Sequence, residues 1–338
     1  MGSGPIGARP QDDYIAIRER AALVIPQDRG RIAVSGRDRA TYLQGLLTND
    51  IPALTRGTGC YAAWLTAQGR MTTDMHVLES GDMILLDVPA ATRESVLQRL
   101  DQFIFSEDVQ LADLTAALAE VTVHGPRAAE LIEATIAGAT GLANWAQYTN
   151  TRAEFSGSPL VVARIDRVGT AGYALYADAA RAADLAGALE TGGAVRASAE
   201  ALEVARVEAG YPLFGVDMDE DTIPLEAGIE GRAISMTKGC YVGQEVIIRV
   251  LHRGHGRVAR RLVGLRVCDE TPARGARVHV SDRHIGVVTS SVTSPRLGAI
   301  ALGYVHRDFV EPGTTVEIDT VGGRAPAVVS ALPFALEA

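Results

Sequence analysis

The sequence predicts an α+β protein in which a large mixed region precedes a small all-β domain. Three observations carry this reading. Over the first 255 residues, strand-like and helix-like patterns arrive in mixed order, without the regular βα alternation of a doubly wound sheet. After residue 256 the chain becomes six short strand-like runs separated by turn residues, the pattern of a small β-barrel or sandwich. The 338 residues are 47% hydrophobic and 22% charged, enough to fill more than one core and unlike a disordered or fibrous chain.

The elements follow in order. Residues 31–35 read as a short strand. Residues 39–48 read as a helix, with Tyr42, Leu43, Leu46 and Leu47 at helical spacing. Residues 72–78 and 82–88 flank Glu79-Ser80-Gly81, a hairpin signal. A helix over 93–103 follows Pro89 and Thr92. Another opens at Gly125-Pro126, where proline suits a first turn, and runs to about residue 137. Strands over 160–165 and 172–176 precede a helix over 179–190 that stops at Gly192-Gly193. Ser198 is the N-cap of a helix to residue 209, ended by Gly210 and Pro212. The last six strands span 262–267, 277–280, 285–290, 299–305, 315–318 and 327–332, with turns such as Pro312-Gly313 and Gly322-Gly323 between them. The expected division is 1–255 and 256–338.

Lysine and arginine number 32 against 41 aspartates and glutamates, a net charge of −9. That balance disfavours generic nucleic-acid binding, and 5% aromatic residues give little support for a base-stacking platform. Cys60, Cys240 and Cys268 cannot all pair, and they do not cluster as zinc ligands, so no metal site is expected. The first residues lack an apolar signal segment, and the longest uncharged stretch, 134–151, is broken by glycine, asparagine and glutamine. The expectation is a cytoplasmic protein in a reducing compartment, without membrane attachment.

The densest candidate for chemistry is Lys238-Gly239-Cys240-Tyr241-Val242-Gly243-Gln244-Glu245. Lys238 and Arg249 lie where they could stabilise a Cys240 thiolate and raise its reactivity. The competing reading is a small buried hydrophobe, the usual state of a free cysteine. Cys60 and Cys268 read as core residues. Arg249, His252, Arg253, His255, Arg257, Arg260 and Arg261 form a local basic run, either a polyanion site or a solvated turn. Arg206 and Glu208 lie in the last turn of the helix that begins after Ser198. The helix dipole disfavours an anion there, so Glu208 is either paired or positioned for use. Asp74, at the start of a hairpin with Trp64 upstream, is unremarkable by spacing alone.

These segments together look like one family. KGCYVGQE resembles the signature of the folate-binding YgfZ proteins, a branch of the superfamily that contains the glycine-cleavage T-protein, an aminomethyltransferase. GRDRATYLQGLLTND, ARVEAGYPLFGVDMD, IPLEAGI and GVVTSSVTSPRLGAIALGYV resemble further family segments in the right order, over roughly residues 20–335. The resemblance implies two interleaved α+β lobes and a C-terminal β-barrel around a central folate pocket. It implies tetrahydrofolate or a one-carbon derivative as cofactor and transient iron–sulfur client proteins as partners, whose clusters the protein helps to assemble or repair. Carried over residue by residue, Cys240, Lys238 and Asp74 are the expected catalytic residues. Asp74, Trp64, Arg206, Glu208, Tyr241, Gln244 and Glu245 are the expected folate-side residues.

Two departures bear on activity. Where the aminomethyltransferases carry adjacent acids, this chain has Thr73 and Asp74. Where they carry a glycine-rich strand with acids, residues 167–175 hold none. The resulting expectation is a folate-binding iron–sulfur maintenance protein with little glycine-cleavage activity. The alternatives are a tetrahydrofolate-dependent aminomethyltransferase and a binding module in which Cys240 is structural.

Overall fold

The computed structural model describes residues 10–253, 256–268 and 270–335. The chain opens with α1 (Pro10–Glu19), β1 (Ala22–Val24), β2 (Arg29–Ser35) and α2 (Arg39–Gln44). It continues with β3 (Thr58–Leu65), β4 (Met71–Glu79), β5 (Met83–Pro89), α3 (Arg93–Gln102) and β6 (Gln110–Asp113). Next come β7 (Leu118–His124), α4 (Ala128–Thr135), β8 (Asn150–Phe155), β9 (Ser158–Arg164) and β10 (Gly172–Asp178). After α5 (Ala182–Thr191), β11 (Val195–Arg196) and α6 (Ala199–Ala209) stand the short helices α7 (Pro224–Ala227), α8 (Glu230–Ala233) and α9 (Gln244–Ile248). The last strands are β12 (Arg260–Val267), β13 (Arg277–Val280), β14 (Arg283–Ser294), β15 (Gly298–His306), β16 (Thr315–Thr320) and β17 (Gly323–Ser330).

The strands form three sheets, ordered β11-β1-β7-β10-β9-β8, β3-β4-β5-β2-β6, and a closed barrel β12-β15-β14-β13-β16-β17. The chain starts in the first sheet, builds the second with β2 to β6, and returns to the first with β7. The two lobes are therefore interleaved. The C-terminal runs close into a barrel rather than a sandwich. Helices α2, α4 and α5 are shorter than their spacing suggests. α2 ends at Gln44 because Leu47 bridges to Trp64 of β3. α5 is preceded by a 3₁₀ turn, in which the Asp178 carboxylate accepts the Ala180 N–H at 2.8 Å. Among the described residues, no helix is long and apolar enough to cross a membrane.

Side-chain alternation decides how the layers pack. One face of the second sheet packs under α2 and α3, where Ile32, Val34, Cys60, Trp64 and Leu86 meet Tyr42, Leu43, Val96 and Leu100. The other face meets the first sheet through Leu78, Leu85, Val161, Ala163, Ala174 and Tyr176. Asp74 and His76 of β4 share this face with Leu78.

The barrel is tied to the lobes by α6. Arg206, 4% exposed, donates to Asp217 at 2.8 Å and to Ser290 of β14 at 2.8 Å, and also pairs with Glu203. Asp217 accepts further bonds from Thr289 at 2.6 Å and Ser290 at 2.7 Å. Removing one partner of such a buried pair leaves the other charge without compensation. Arg206→Ala is therefore expected to cost about 3–5 kcal/mol in denaturant unfolding. A loss below about 1 kcal/mol, the range of an exposed pair, would mean that apolar contacts alone hold the junction.

Candidate functional site

The pairing of β3 with β4 sets Tyr61 opposite His76 and Ala63 opposite Asp74. Asp74 and His76 are two apart on one strand, so both face the same side of the sheet. The Tyr61 hydroxyl donates to Asp74 Oδ2 at 2.6 Å. The second oxygen, Oδ1, is buried and has no hydrogen-bond partner. Burial pushes the Asp74 carboxyl above its ordinary range, against the pull of Arg29 and the Tyr61 bond. A buried acceptor without a partner is costly, and its free oxygen marks where a donor fits.

Three more groups complete the chamber, a closed cluster of side chains in which Asp74 Oδ1 and His76 Nδ1 are both shut off from solvent. The His76 ring lies 5.6 Å from that of Tyr61 and 5.7 Å from that of Tyr148. Tyr148 has a left-handed backbone with φ of 67°, a conformation that costs a bulky residue about 1–3 kcal/mol. Its N–H donates to the Arg164 carbonyl at 2.8 Å, which helps to hold it there. The Arg232 guanidinium lies over both Tyr61, at 5.1 Å, and Tyr211, at 4.6 Å. Arg232 and Tyr211 also line a cleft of about 810 Å³ between the lobes and the barrel, together with Arg18, Arg261 and Arg296. Arg18 pairs with Glu208 and Arg261 with Glu230, whereas Arg232 and Arg296 have no carboxylate partner among the described residues.

Beside the chamber lies a charge cluster. Asp87, fully buried, accepts from Arg29 at 2.8 Å, Arg167 at 2.5 Å and the Tyr176 hydroxyl at 2.9 Å. Glu120 Oε1 is 2.9 Å from Arg167, in ion-pair contact but without hydrogen-bond alignment. Burial raises the Glu120 carboxyl, with Arg167 opposing, whereas the two arginines hold Asp87 below its ordinary range despite burial. The glycine-rich stretch 167–175 thus contributes a cation here, and the carboxylates come from β5 and β7.

Several expected site residues do other work. Trp64 points to the opposite face of β3 from Tyr61. It is 2% exposed, packs under α2 and lies 6.4 Å from the Phe103 ring, so Tyr61 takes the place expected of it. Arg206 is consumed by the barrel junction. Glu208 accepts from Tyr14 at 2.7 Å, from Ser294 of β14 at 2.5 Å and from Arg18. Both residues fasten α6 to its neighbours, although Glu208 also borders the cleft.

Lys238 does not serve Cys240. Its ammonium donates to the carbonyls of Gln44, Leu47 and Asn49 at 2.8, 2.5 and 2.8 Å, and so caps the end of α2. Burial lowers it to about 8, while the charge of Asp50 acts the other way. The three carbonyls likewise favour the ammonium, since each takes one of its three N–H bonds. The nearby thiol is Cys60, which burial pushes up to about 12. Cys240 is exposed, and Cys268, expected in the core, is exposed as well.

The rest of the signature braces the turn between β3 and β4. Gly243 has φ of 85°, and a Cβ there would lie 2.5 Å from the Thr66 carbonyl, so glycine is required. Gln244 and Glu245 open α9, with Glu245 exposed. Tyr241 packs in the same cluster as Tyr61, with the Lys238 ammonium 5.1 Å from its ring. In the basic run, residues 254–255 lie outside the described residues, and Arg260 and Arg261 pair with Glu226 and Glu230. Among the described residues no group of His, Cys, Asp and Glu could hold a metal ion. Tyr61, His76, Tyr148, Tyr211 and Arg232 were not singled out in the sequence. Only the strand alternation around Asp74 signals any of them, and it points to His76.

These placements fix the order of thiol labelling. In timed alkylation followed by mass spectrometry, Cys240 and Cys268 should react in the native protein and Cys60 only on unfolding. Lys238→Gln should lower stability and leave the Cys240 rate unchanged. A several-fold slower Cys240 in that variant would restore Lys238 as its activator.

Residues 8–238 match the GCVT N-terminal domain family, and residues 260–335 match the glycine cleavage T-protein C-terminal barrel domain. An aminomethyltransferase of Rubrobacter xylanophilus is 34% identical over 324 residues, 95% of this chain and 85% of its own. One from Synechococcus elongatus is 31% identical over 330 residues, 95% and 87% of the two chains. The fold matches the crystal structure of glycine cleavage system aminomethyltransferase T from Bartonella henselae, with a TM-score of 0.86 at 24% identity, over 96% and 89% of the chains. These relatives carry the aminomethyltransferase name, and nothing in their matches points to the YgfZ branch. With both domain families matched in order and the fold shared along nearly its whole length, the chain belongs to the glycine-cleavage T-protein superfamily.

Proposed function

We propose that the protein binds tetrahydrofolate in the Asp74 chamber and acts as a tetrahydrofolate-dependent aminomethyltransferase. The observation that carries this is the unpartnered, buried Asp74 Oδ1 in a chamber walled by Tyr61, His76 and Tyr148. Aromatic walls suit a flat heterocycle, and a carboxylate oxygen suits its N–H edge. Arg232 joins this chamber to the arginine-lined cleft, which suits a ligand whose far end carries carboxylates. The names of the relatives point the same way.

Tetrahydrofolate, when bound, supplies the nitrogen that takes up the one-carbon unit. The protein's part is binding and proton placement. Tyr61 fixes the orientation of the Asp74 carboxyl, leaving Oδ1 to accept an N–H. Because burial raises its proton affinity, Asp74 can hold a proton nearer neutrality than an exposed aspartate. Arg232, held between two tyrosine rings, presents a cation that cannot be deprotonated.

Thr73 does not weaken this reading. Neighbouring residues of a strand point to opposite faces, and the Thr73 hydroxyl lies 2.8 Å from that of Thr92, at the start of α3. An acid at position 73 would face away from the chamber, so its absence removes nothing from the site. The expectation of little glycine-cleavage activity loses that support.

A second reading rests on Cys240. Its thiol is exposed, and Met236 and Ile248, also in this part of the chain, are 59% and 44% exposed. An accessible thiol can offer one transient ligand to an iron–sulfur client, though a cluster usually takes four.

Two measurements separate these readings. Calorimetric titration should show saturable tetrahydrofolate binding, and an assay with aminomethylated carrier protein should show turnover. Asp74→Asn should reduce that turnover by about 10²–10⁴-fold. Binding without turnover, together with loss of iron–sulfur enzyme activities in cells carrying Cys240→Ser, would favour the second reading. Absence of binding by the folded protein would remove both.

A further inference from the structure

The chamber holds a second group able to hydrogen-bond a ligand. His76 is half-buried, shares the chamber face of β4 with Asp74, and has its ring between those of Tyr61 and Tyr148. Its Nδ1 is buried and without a partner. Two polar atoms on one wall, Asp74 Oδ1 and His76 Nδ1, therefore lack partners side by side. Alternate residues of a strand are about 6.6 Å apart along its length, comparable to the span of a fused two-ring heterocycle.

We propose that His76 is a second ligand-binding residue of the chamber, its neutral imidazole accepting at Nδ1 a hydrogen bond from an N–H of the bound heterocycle while Asp74 accepts another. The proposal rests on the reading that the chamber binds tetrahydrofolate. It gives the site a second acceptor beside Asp74, and an uncharged one.

The surroundings explain why the ring is neutral. Across the sheet, His76 is opposite Tyr61 on β3 and Asp87 on β5, and Tyr148 packs over it from the loop before β8. Asp87 is already bonded to Arg29 and Arg167. Burial comes first in lowering the proton affinity of His76, and the charges of Arg167, Arg29 and Arg232 add to it, with Asp87 opposing. A neutral imidazole has one acceptor nitrogen, and the partnerless Nδ1 is placed to be it. The left-handed backbone of Tyr148 fits the same picture. Strain persists where surrounding structure enforces it, and here it sets a ring against His76.

The test compares tetrahydrofolate affinity in His76→Phe, which keeps a ring without nitrogen, and His76→Asn, which can return an acceptor near the Nδ1 position. Calorimetry at neutral pH should show His76→Phe about tenfold or more weaker, as for loss of one buried hydrogen bond, and His76→Asn substantially recovered. Wild-type affinity should show no step near pH 6.5 between pH 5.5 and 8. The wild-type Nδ1 nitrogen resonance should move on ligand addition, a readout that does not depend on any variant folding. Unchanged affinity in His76→Phe, an unmoved resonance, or a binding step near pH 6.5 would overturn the role of His76. If Asp74→Asn still lost affinity, the folate reading would survive that failure. If the wild-type protein bound no folate, both would fall together.

Discussion

The arrangement depends on one buried contact, Arg167 held between Asp87 and Glu120. Asp87 belongs to β5 of the second sheet, Glu120 to β7 of the first, and Arg167 to the loop between β9 and β10. Taking these charges out of water is expensive, and the cost is offset only when each finds its partner. The contact therefore specifies how the two interleaved lobes meet. Arg29 and the Tyr176 hydroxyl complete the set around Asp87 and leave it no need of solvent. Where the two sheets meet apolar side to apolar side, the seam is closed by Leu78, Leu85 and Val161. Next to the charge cluster Tyr61 and Tyr148 pack around His76, beside the buried Asp74.

That cluster also sets the electrostatics of the site. Arg167 and Arg29 add to the burial that disfavours a proton on His76, and Arg29 opposes the burial that raises Asp74. One carboxyl is pushed up and one imidazole down within a single strand. Burial thus favours the uncharged form of both groups, which leaves His76 a neutral acceptor beside Asp74. Arg232 adds a fixed cation at the mouth, held by two rings rather than by a carboxylate, so its charge remains available to a ligand.

The architecture was largely legible because it rests on local patterns. The alternating runs flanking Glu79-Ser80-Gly81 became β4 and β5, and the six turn-separated runs became the barrel. Barrel closure was not local and came from the family resemblance. Asp74 was reached the same way, since nothing in its neighbours marks it. The rest of the chamber was hidden by distance along the chain. Tyr61, Tyr148 and Arg232 meet only because β3, the loop before β8 and α8 converge. Alternation puts Trp64 on the face away from Asp74, three residues from Tyr61, the aromatic that does face it. Lys238 stands two residues from a thiol, whereas its partners lie nearly two hundred residues upstream at the end of α2. Closeness in sequence is not closeness in space here.

The central claim is that Asp74 Oδ1 is the anchor of a folate site. A crystal structure of the protein with tetrahydrofolate tests it most directly. The heterocycle should lie against the chamber's aromatic side chains, with a ring N–H about 3 Å from Asp74 Oδ1 and the ligand's carboxylates directed toward Arg232. A ligand seated elsewhere, with Asp74 Oδ1 still without a partner, would contradict it.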